Sequence, residues 1–314
     1  MFMLSNLYKN LNKELPIKLF KKANSLNYIL FEYFHEKFIV NKPNSSRLEN
    51  FKKNGFCKTG IRSNEIVKLI NERVIKLQES KIPPNHTGRY VFEVPQELRK
   101  NLIELIYSDY KDLFQEFEEY YNHKIAIAEI LVKRNFPLGD SSYYKNKIRT
   151  KDKEPYNNYY HVDFYVNTYF KMFINLQDVK KENGPLHIYD IQSSKNFIKK
   201  KQYNNRNDYL PEELDNEVHI NTGLVGESLI ANTTKCLHRA GIVQKGHRDI
   251  LFIIFGLIPN KEISKKKGNT LAYYDEESSE DVWKNTMKFT KKYKPKNLRN
   301  TIKLLYKFYL SKIN

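Results

Sequence analysis

Cysteine is scarce. The chain has two in 314 residues, Cys57 and Cys236, far apart and neither part of a C-x-x-C pair. That excludes a disulfide framework and makes the reducing cytoplasm the expected compartment. Long apolar runs are missing as well. The longest, Ile250 to Ile258, reads ILFIIFGLI. It is far short of the ~20 residues that a membrane helix needs, so no membrane span is expected and the run reads as a strand buried on both faces. Lys9, Lys13, Lys18, Lys21 and Lys22 interrupt the N-terminal segment, which argues against a signal peptide. There is no Gly- or Ser-rich linker and no internal repeat, so a single domain is expected.

Charge is abundant. The formal net charge is +18, which raises the question of an anionic partner such as nucleic acid or a membrane surface. The lysines are spread along the whole chain, however, and Asn, Ile and Tyr are overused with them. A coding bias accounts for that pattern, and nucleic-acid binding is not expected. Two runs, Lys199 to Lys201 and Lys265 to Lys267, read as solvated loops. They are the features that keep a charge-driven binder of an anionic partner as an alternative. Lysines that steer an anionic small substrate are a middle reading.

The pattern of elements is helices, then strands, then helices. Residues 1 to about 40 have a basic amphipathic helical pattern. An Asn54-Gly55 turn leads into a short strand, and Ser63 stands where an N-cap belongs, before a helix to about Ser80. Pro95 opens a further helix to about Tyr121. From Ile125 the texture changes to short strands: IAIAEILV, Tyr160 to Phe164, Phe170 to Leu176, Leu186 to Asp190, Glu227 to Ala231, Lys235 to His238 and Asp249 to Leu257. Polar stretches at about 136–158 and 193–222 read as long loops of the kind that act as lids. The expected organisation is therefore 1–124 as a helical segment packed on the core, 125–258 as the strand-rich core, and 259–314 as a helical extension. The fold class is mainly β with flanking helices, a sandwich or barrel.

The chemistry begins at His161 and Asp163. In an extended strand, residues i and i+2 share a face, so an imidazole and a carboxylate stand side by side. A lone H-x-D is common by chance. The second signal is His238, at the end of a predicted strand, followed ten residues later by Arg248 at the start of the apolar strand. A turn between Gly241 and Gly246 would pair these strands as a hairpin and bring Arg248 close to His238. An arginine opening so apolar a strand is costly unless an anion meets it, either a bound carboxylate or an internal partner such as Glu227 or Asp249. Two histidines and one carboxylate with open positions are the donor set of non-haem Fe(II) oxygenases. Lys171 and Asn175 share a strand face with Phe173 and line either the site or the outside. His35, His86, His123, His187, His219 and His247 lack partner spacing and read as structural or exposed.

Over roughly residues 48 to 258 the sequence resembles the phytanoyl-CoA dioxygenase group of Fe(II)/2-oxoglutarate-dependent oxygenases. The resemblance rests on H-V-D at His161 to Asp163, E-N-G-P-L at Glu182 to Leu186 and G-E-S-L-I-A-N from Gly226. It continues through L-H-R-A-G at Leu237 to Gly241 and K-G-H-R at Lys245 to Arg248, with F-K-K-N-G-F at Phe51 to Phe56 as the entry segment. It implies a double-stranded β-helix, the cupin-like jelly roll, with Fe(II) held by His161, Asp163 and His238 and the distal carboxylate of 2-oxoglutarate held by Arg248. It implies hydroxylation of a small molecule coupled to conversion of 2-oxoglutarate and O2 to succinate and CO2. Halogenating relatives lack the carboxylate that Asp163 supplies. The sequence departs from the family at Ala240, where Ser or Thr is usual, and in the turn after Leu186. A non-catalytic ligand-binding module on the same scaffold is the other alternative. Substrate identity and oligomeric state are not written in these motifs.

Overall fold

The computed structural model describes residues 42–121, 124–137, 160–163, 170–200 and 218–258. The helical patterns expected at 1–40 and beyond 259 lie outside the described residues, as does most of the 136–158 stretch.

Helix α1 (Ser46–Asn54) starts because the Ser45 hydroxyl accepts the Leu48 N–H at 3.2 Å, and it ends at Gly55, which adopts φ 83° and donates to the Phe51 carbonyl. That is the expected Asn54-Gly55 turn, and it delivers the chain into β1 (Phe56–Arg62). The next helical run begins with α2 (Asn64–Ile70), passes through a π-helical turn at Asn71–Ile75 and ends at Lys76–Gln78. Ser63 occupies its N-cap position but makes no capping bond. Its hydroxyl donates instead to Tyr110 Oη at 2.7 Å, and Tyr110 donates onward to Ser228 Oγ at 2.9 Å. The single helix expected from Pro95 to Tyr121 is divided at that tyrosine into α3 (Gln96–Asp109) and α4 (Lys111–Tyr121). Tyr110 is fully buried, and its anchored hydroxyl draws the chain inward. A strand that the sequence reading passed over, β2 (Arg89–Phe92), lies between the two helical regions.

The remaining strands are β3 (Lys124–Asn135), β4 (Phe170–Asn175), β5 (Leu186–Ile188), β6 (His219–Asn221), β7 (Glu227–Ala231), β8 (His238–Ala240) and β9 (Arg248–Ile258). They form two antiparallel sheets. The larger has the order β1-β7-β4-β9-β3-β2, and the smaller β6-β5-β8. A bridge from His161 to His238 extends the smaller sheet beyond β8. Side-chain parity along β9 explains the continuous apolar run. Leu251, Ile253 and Phe255 pack with the helices, through Phe117, Phe114 and Leu113 among others. Ile250, Phe252 and Ile254 face the other way, toward Leu186 and Ile188 of the smaller sheet. The strand is buried on both faces, as its composition implies.

The strand expected at Lys235 to His238 is a turn followed by β8, which His238 opens rather than ends. Of the strand expected from Tyr160, only an isolated bridge at His161 is formed among residues 160–163. The strands carrying His238 and Arg248 are not a hairpin, because β8 pairs with β5 whereas β9 pairs with β3 and β4. The connection crosses between sheets. It is held by bonds from Gly241 N–H to the Pro185 carbonyl and from Gln244 and Lys245 N–H to the Glu182 carbonyl. A strand apolar on both faces gains most at the centre of the covered sheet, and an edge hairpin with the three-residue β8 would forgo that burial. The stretch 193–222 is not a plain loop either. It contains α5 (Ile191–Lys200) and β6. Asp190 caps α5, accepting from Ser193 N–H at 2.7 Å and from Ser193 Oγ at 3.0 Å.

The Asn183-Gly184-Pro185 turn abuts this crossing. Gly184 has φ 68°, and a β-carbon there would lie 2.5 Å from the Gly241 carbonyl oxygen and 2.7 Å from the Val243 nitrogen. Both obstacles are backbone and cannot swing away. Gly184→Ala is therefore expected to destabilise the fold by about 2–4 kcal/mol, the sum of a left-handed backbone cost and overpacking. Urea unfolding monitored by circular dichroism measures it.

Candidate metal centre

His161 and Asp163 lie at the end of the smaller sheet, and each is tied down by its main chain. The His161 N–H donates to the His238 carbonyl, and the His238 N–H to the His161 carbonyl, both at 2.9 Å. The Asp163 N–H donates to the Thr233 carbonyl at 2.9 Å. The loop that carries Thr233 is itself braced: Asn232 N–H reaches the Gly55 carbonyl, and Cys236 N–H the Asn232 carbonyl. The conformation of residues 232–236 thus sets the distance between the H-x-D pair and the distal histidine.

The three side chains converge. His161 Nε2 lies 3.7 Å from Asp163 Oδ1, and His238 Nε2 lies 3.6 Å from Asp163 Oδ2. The two imidazole centroids are 4.4 Å apart. One ligand atom from each residue falls within 4.8 Å of the others, and this is the one such group of three among the described residues. All three are buried, at 4, 6 and 5 % exposure for His161, Asp163 and His238. His238 Nδ1 lies 3.0 Å from the Cys236 carbonyl oxygen. A carbonyl only accepts, so Nδ1 carries the proton and Nε2 presents its lone pair to the centre. Burial pushes the Asp163 carboxyl up, but Lys171, His238 and His161 outweigh it and hold the group well below the usual carboxylate range. It is an anion at neutral pH, the form that binds a metal.

The structure resolves which way the β4 side chains point. Phe170, Met172 and Ile174 pack toward the helices, so Lys171, Phe173 and Asn175 face the smaller sheet. Lys171 Nζ pairs with Asp163 Oδ2 and lies 4.8 Å from the centroid of Phe252. Its role beside the carboxylate was beyond sequence reasoning, because it depends on the register between β4 and β9.

Arg248 opens β9 on the inward parity, in step with Ile250 and Phe252. It is 4 % exposed, and its Nε and Nη1 have no hydrogen-bond partner among the described residues. The internal partners considered for it are taken. Asp249 accepts from Arg134 Nε and Nη2, each at 2.7 Å, and Glu227 pairs with Lys58 at 3.3 Å. Burial pushes the guanidinium down to about 10. A buried cation with two unmet donors is a seat for an anion.

His187 accepts from Arg239 and contacts Tyr160 Oη at 3.3 Å, His219 stacks on Phe56, His86 packs against Tyr90 and His247 lies 3.5 Å from Asp249. None joins the centre. His35 and His123, Lys201 and the 265–267 lysines lie outside the described residues. Cys57 and Cys236 are free and buried, and burial pushes the Cys57 thiol up to about 12. No helix among the described residues is long and apolar enough to cross a membrane.

No protein-family model and no curated protein sequence matches the chain. Among solved structures, HygX from Streptomyces hygroscopicus, crystallised with nickel and 2-oxoglutarate bound, is 15 % identical with a TM-score of 0.47, covering 68 % of this chain and 87 % of that one. AviO1 from Streptomyces viridochromogenes Tue57 is 13 % identical with a TM-score of 0.41, covering 69 % and 96 %. SnoN, a non-haem α-ketoglutarate-dependent epimerase from nogalamycin biosynthesis, is 11 % identical with a TM-score of 0.40, covering 67 % and 80 %. Likeness this distant assigns neither a ligand nor a reaction, and those follow from the chain's own side chains.

Proposed function

We propose that the chain is an Fe(II)/2-oxoglutarate-dependent dioxygenase that hydroxylates a small molecule, built on a double-stranded β-helix of the phytanoyl-CoA dioxygenase type. The observation that carries the reading is a pair of complementary sites. One is a buried His161–Asp163–His238 donor set, and the other is a buried Arg248 whose Nε and Nη1 have no partner among the described residues. Neutral imidazole nitrogens and one carboxylate suit Fe(II) and leave coordination positions open. With donor separations of 3.6 and 3.7 Å, His161, Asp163 and His238 converge closely enough that they could hold one ion. The facing sheets, with Phe173, Leu229, Ile250 and Phe252 against Leu186 and Ile188, support the jelly-roll reading. We take the described core and its helices as one domain, cytoplasmic in location.

The roles of the residues follow. His161, Asp163 and His238 would hold the iron, and the Cys236 carbonyl fixes the orientation of His238. Arg248 would bind the distal carboxylate of 2-oxoglutarate through its planar fork. Bound iron supplies the oxidation of 2-oxoglutarate by O2 and of the substrate C–H bond, with succinate and CO2 released. Lys171 holds Asp163 ionised and in place. The apolar walls formed by Phe173, Phe252 and Leu229 exclude bulk water from the reacting groups.

The test is succinate formation from 2-oxoglutarate by the purified chain with Fe(II), against a metal-free control. A protein that binds neither metal nor 2-oxoglutarate refutes the reading. One that binds 2-oxoglutarate tightly but forms no succinate is the non-catalytic module.

Arg248 gives a second prediction with two opposite signs. Arg248→Met is expected to raise the KM for 2-oxoglutarate about 10- to 100-fold, the worth of a charge-assisted hydrogen-bonded pair. The same change removes an uncompensated buried charge, so the unliganded protein keeps or gains stability. Steady-state kinetics and thermal unfolding, read together, check both signs.

A further inference from the structure

The inner face of the larger sheet carries more positive charge than cosubstrate binding requires. Residues directly opposite on antiparallel strands share a face. Asn135 stands opposite Arg248 and Arg89 opposite Asn135, while Lys133 stands opposite Ile250 and Val91 opposite Lys133. Ile250 faces the smaller sheet, so Arg89, Lys133 and Arg248 all project from that inner face. Lys133 Nζ sits 4.1 Å from the centroid of Phe252, the ring that Lys171 Nζ also approaches. Lys171 has Asp163 as its carboxylate. Lys133 makes no hydrogen bond or ion pair among the described residues; its recorded contact is the Phe252 ring.

We propose that Lys133 anchors the substrate, and that the substrate is a small molecule bearing a carboxylate or phosphate, held against the Phe252 ring beside the metal centre. This rests on the oxygenase reading above and names the substrate class for that site. Position separates the two anion seats. Along β9, the residue opposite Lys133 is two places beyond Arg248, about 7 Å further along the strand. On the oxygenase reading the distal carboxylate of the cosubstrate sits at Arg248 and its other carboxylate would be taken by the metal, which leaves Lys133 for a second anion. Electrostatics agree with the geometry. Burial pushes the Lys133 ammonium down to about 7, Arg89 and Lys171 push in the same direction, and Glu129 and Asp163 act against them. Glu129, opposite Ile254 on the same face, does not pair with Lys133, and a bound anion would.

The experiment uses the full chain loaded with Mn(II), with and without 2-oxoglutarate, and titration calorimetry with two matched pairs: benzoate against benzamide, and phenyl phosphate against phenol. Each anion is expected to bind at least tenfold tighter than its neutral partner. The pair with the larger ratio distinguishes a carboxylate substrate from a phosphate one. Lys133→Met is expected to abolish the preference while shifting 2-oxoglutarate affinity less than twofold, and Lys133→Arg is expected to retain it. Arg248→Met shows the reverse pattern. A preference that survives in Lys133→Met, or no preference in the wild type, overturns the proposal. So does a Lys133→Met variant that loses 2-oxoglutarate instead. If the wild type binds no 2-oxoglutarate, the oxygenase reading fails, and the titrations without it still decide whether Lys133 selects anions. Thermal unfolding of Lys133→Met confirms that the variant is folded, since it exchanges a half-buried ammonium for an apolar chain of similar length.

Discussion

His161→Ala is expected to form no succinate above background, a loss of at least about 10³-fold, and to bind Fe(II) far more weakly. Loss of a mere orienting partner of a metal ligand costs 10- to 100-fold, and this change removes a proposed ligand itself. The variant is a clean test because of how His161 is held. Its place in the sheet comes from its own N–H and carbonyl, paired with His238 at 2.9 Å in both directions. Alanine keeps both bonds. What is lost is the imidazole 3.7 Å from Asp163 and the cavity it filled. Unfolding should therefore move little while metal content, measured by atomic absorption after gel filtration, collapses with the activity. A variant that retains iron and turnover would remove His161 from the centre.

Asp249→Ala is expected to be the most damaging of these changes to stability, at about 3–5 kcal/mol out of a typical total of 5–15. Asp249 takes both forks of Arg134, each at 2.7 Å, and the two side chains are 7 and 8 % exposed. Removing the carboxylate leaves Arg134 with Glu79, which lies at the surface, as its one carboxylate among the described residues. The double variant Arg134→Met/Asp249→Leu removes the stranded charge and should recover much of the loss. A pH dependence follows. Burial pushes the Asp249 carboxyl up, but the hydrogen bonds from Arg134 and His247 and the charges of both lower it overall. A depressed folded-state pKa means that the stabilisation is present above the unfolded value of about 3.9 and disappears as pH falls through the folded one. The single variant should therefore show a shallower acid loss than the wild type, in urea midpoints measured between about pH 5 and pH 2.

The sequence carried the parts of the site that depend on period alone. The H-x-D spacing was legible, although His161 is held by an isolated bridge to His238 rather than by a full strand. Arg248 points inward because it is in step with Ile250 and Phe252. The two-sided burial of β9 was legible from its unbroken apolar run. What escaped was set by long-range register. Lys171 and Lys133 acquire their meaning only when β4, β9 and β3 are laid side by side around Phe252. The supposed hairpin between His238 and Arg248 failed for a related reason. A seven-residue glycine-bearing connection suits a turn within one sheet or a crossing between two, and the choice lies in Glu182 and Pro185, far back in the chain. Two local misses had local causes. Asp190 was a readable N-cap for α5, hidden by the polar residues that follow it. Tyr110 broke a helix that its neighbours favoured, because its hydroxyl bonds to Ser63 and Ser228.

The crossing also means that the two halves of the centre belong to different walls. His161 and His238 ride on the smaller sheet, while Arg248 is fixed in the larger one, and the side chains between them act as spacers. Shortening a spacer, Phe173 or Phe252 for instance, lets the walls settle and alters the span from metal to guanidinium. The cosubstrate would then fit worse although every atom that touches it is unchanged. If the oxygenase reading holds, tightness of 2-oxoglutarate binding would thus gauge how well the interior is filled.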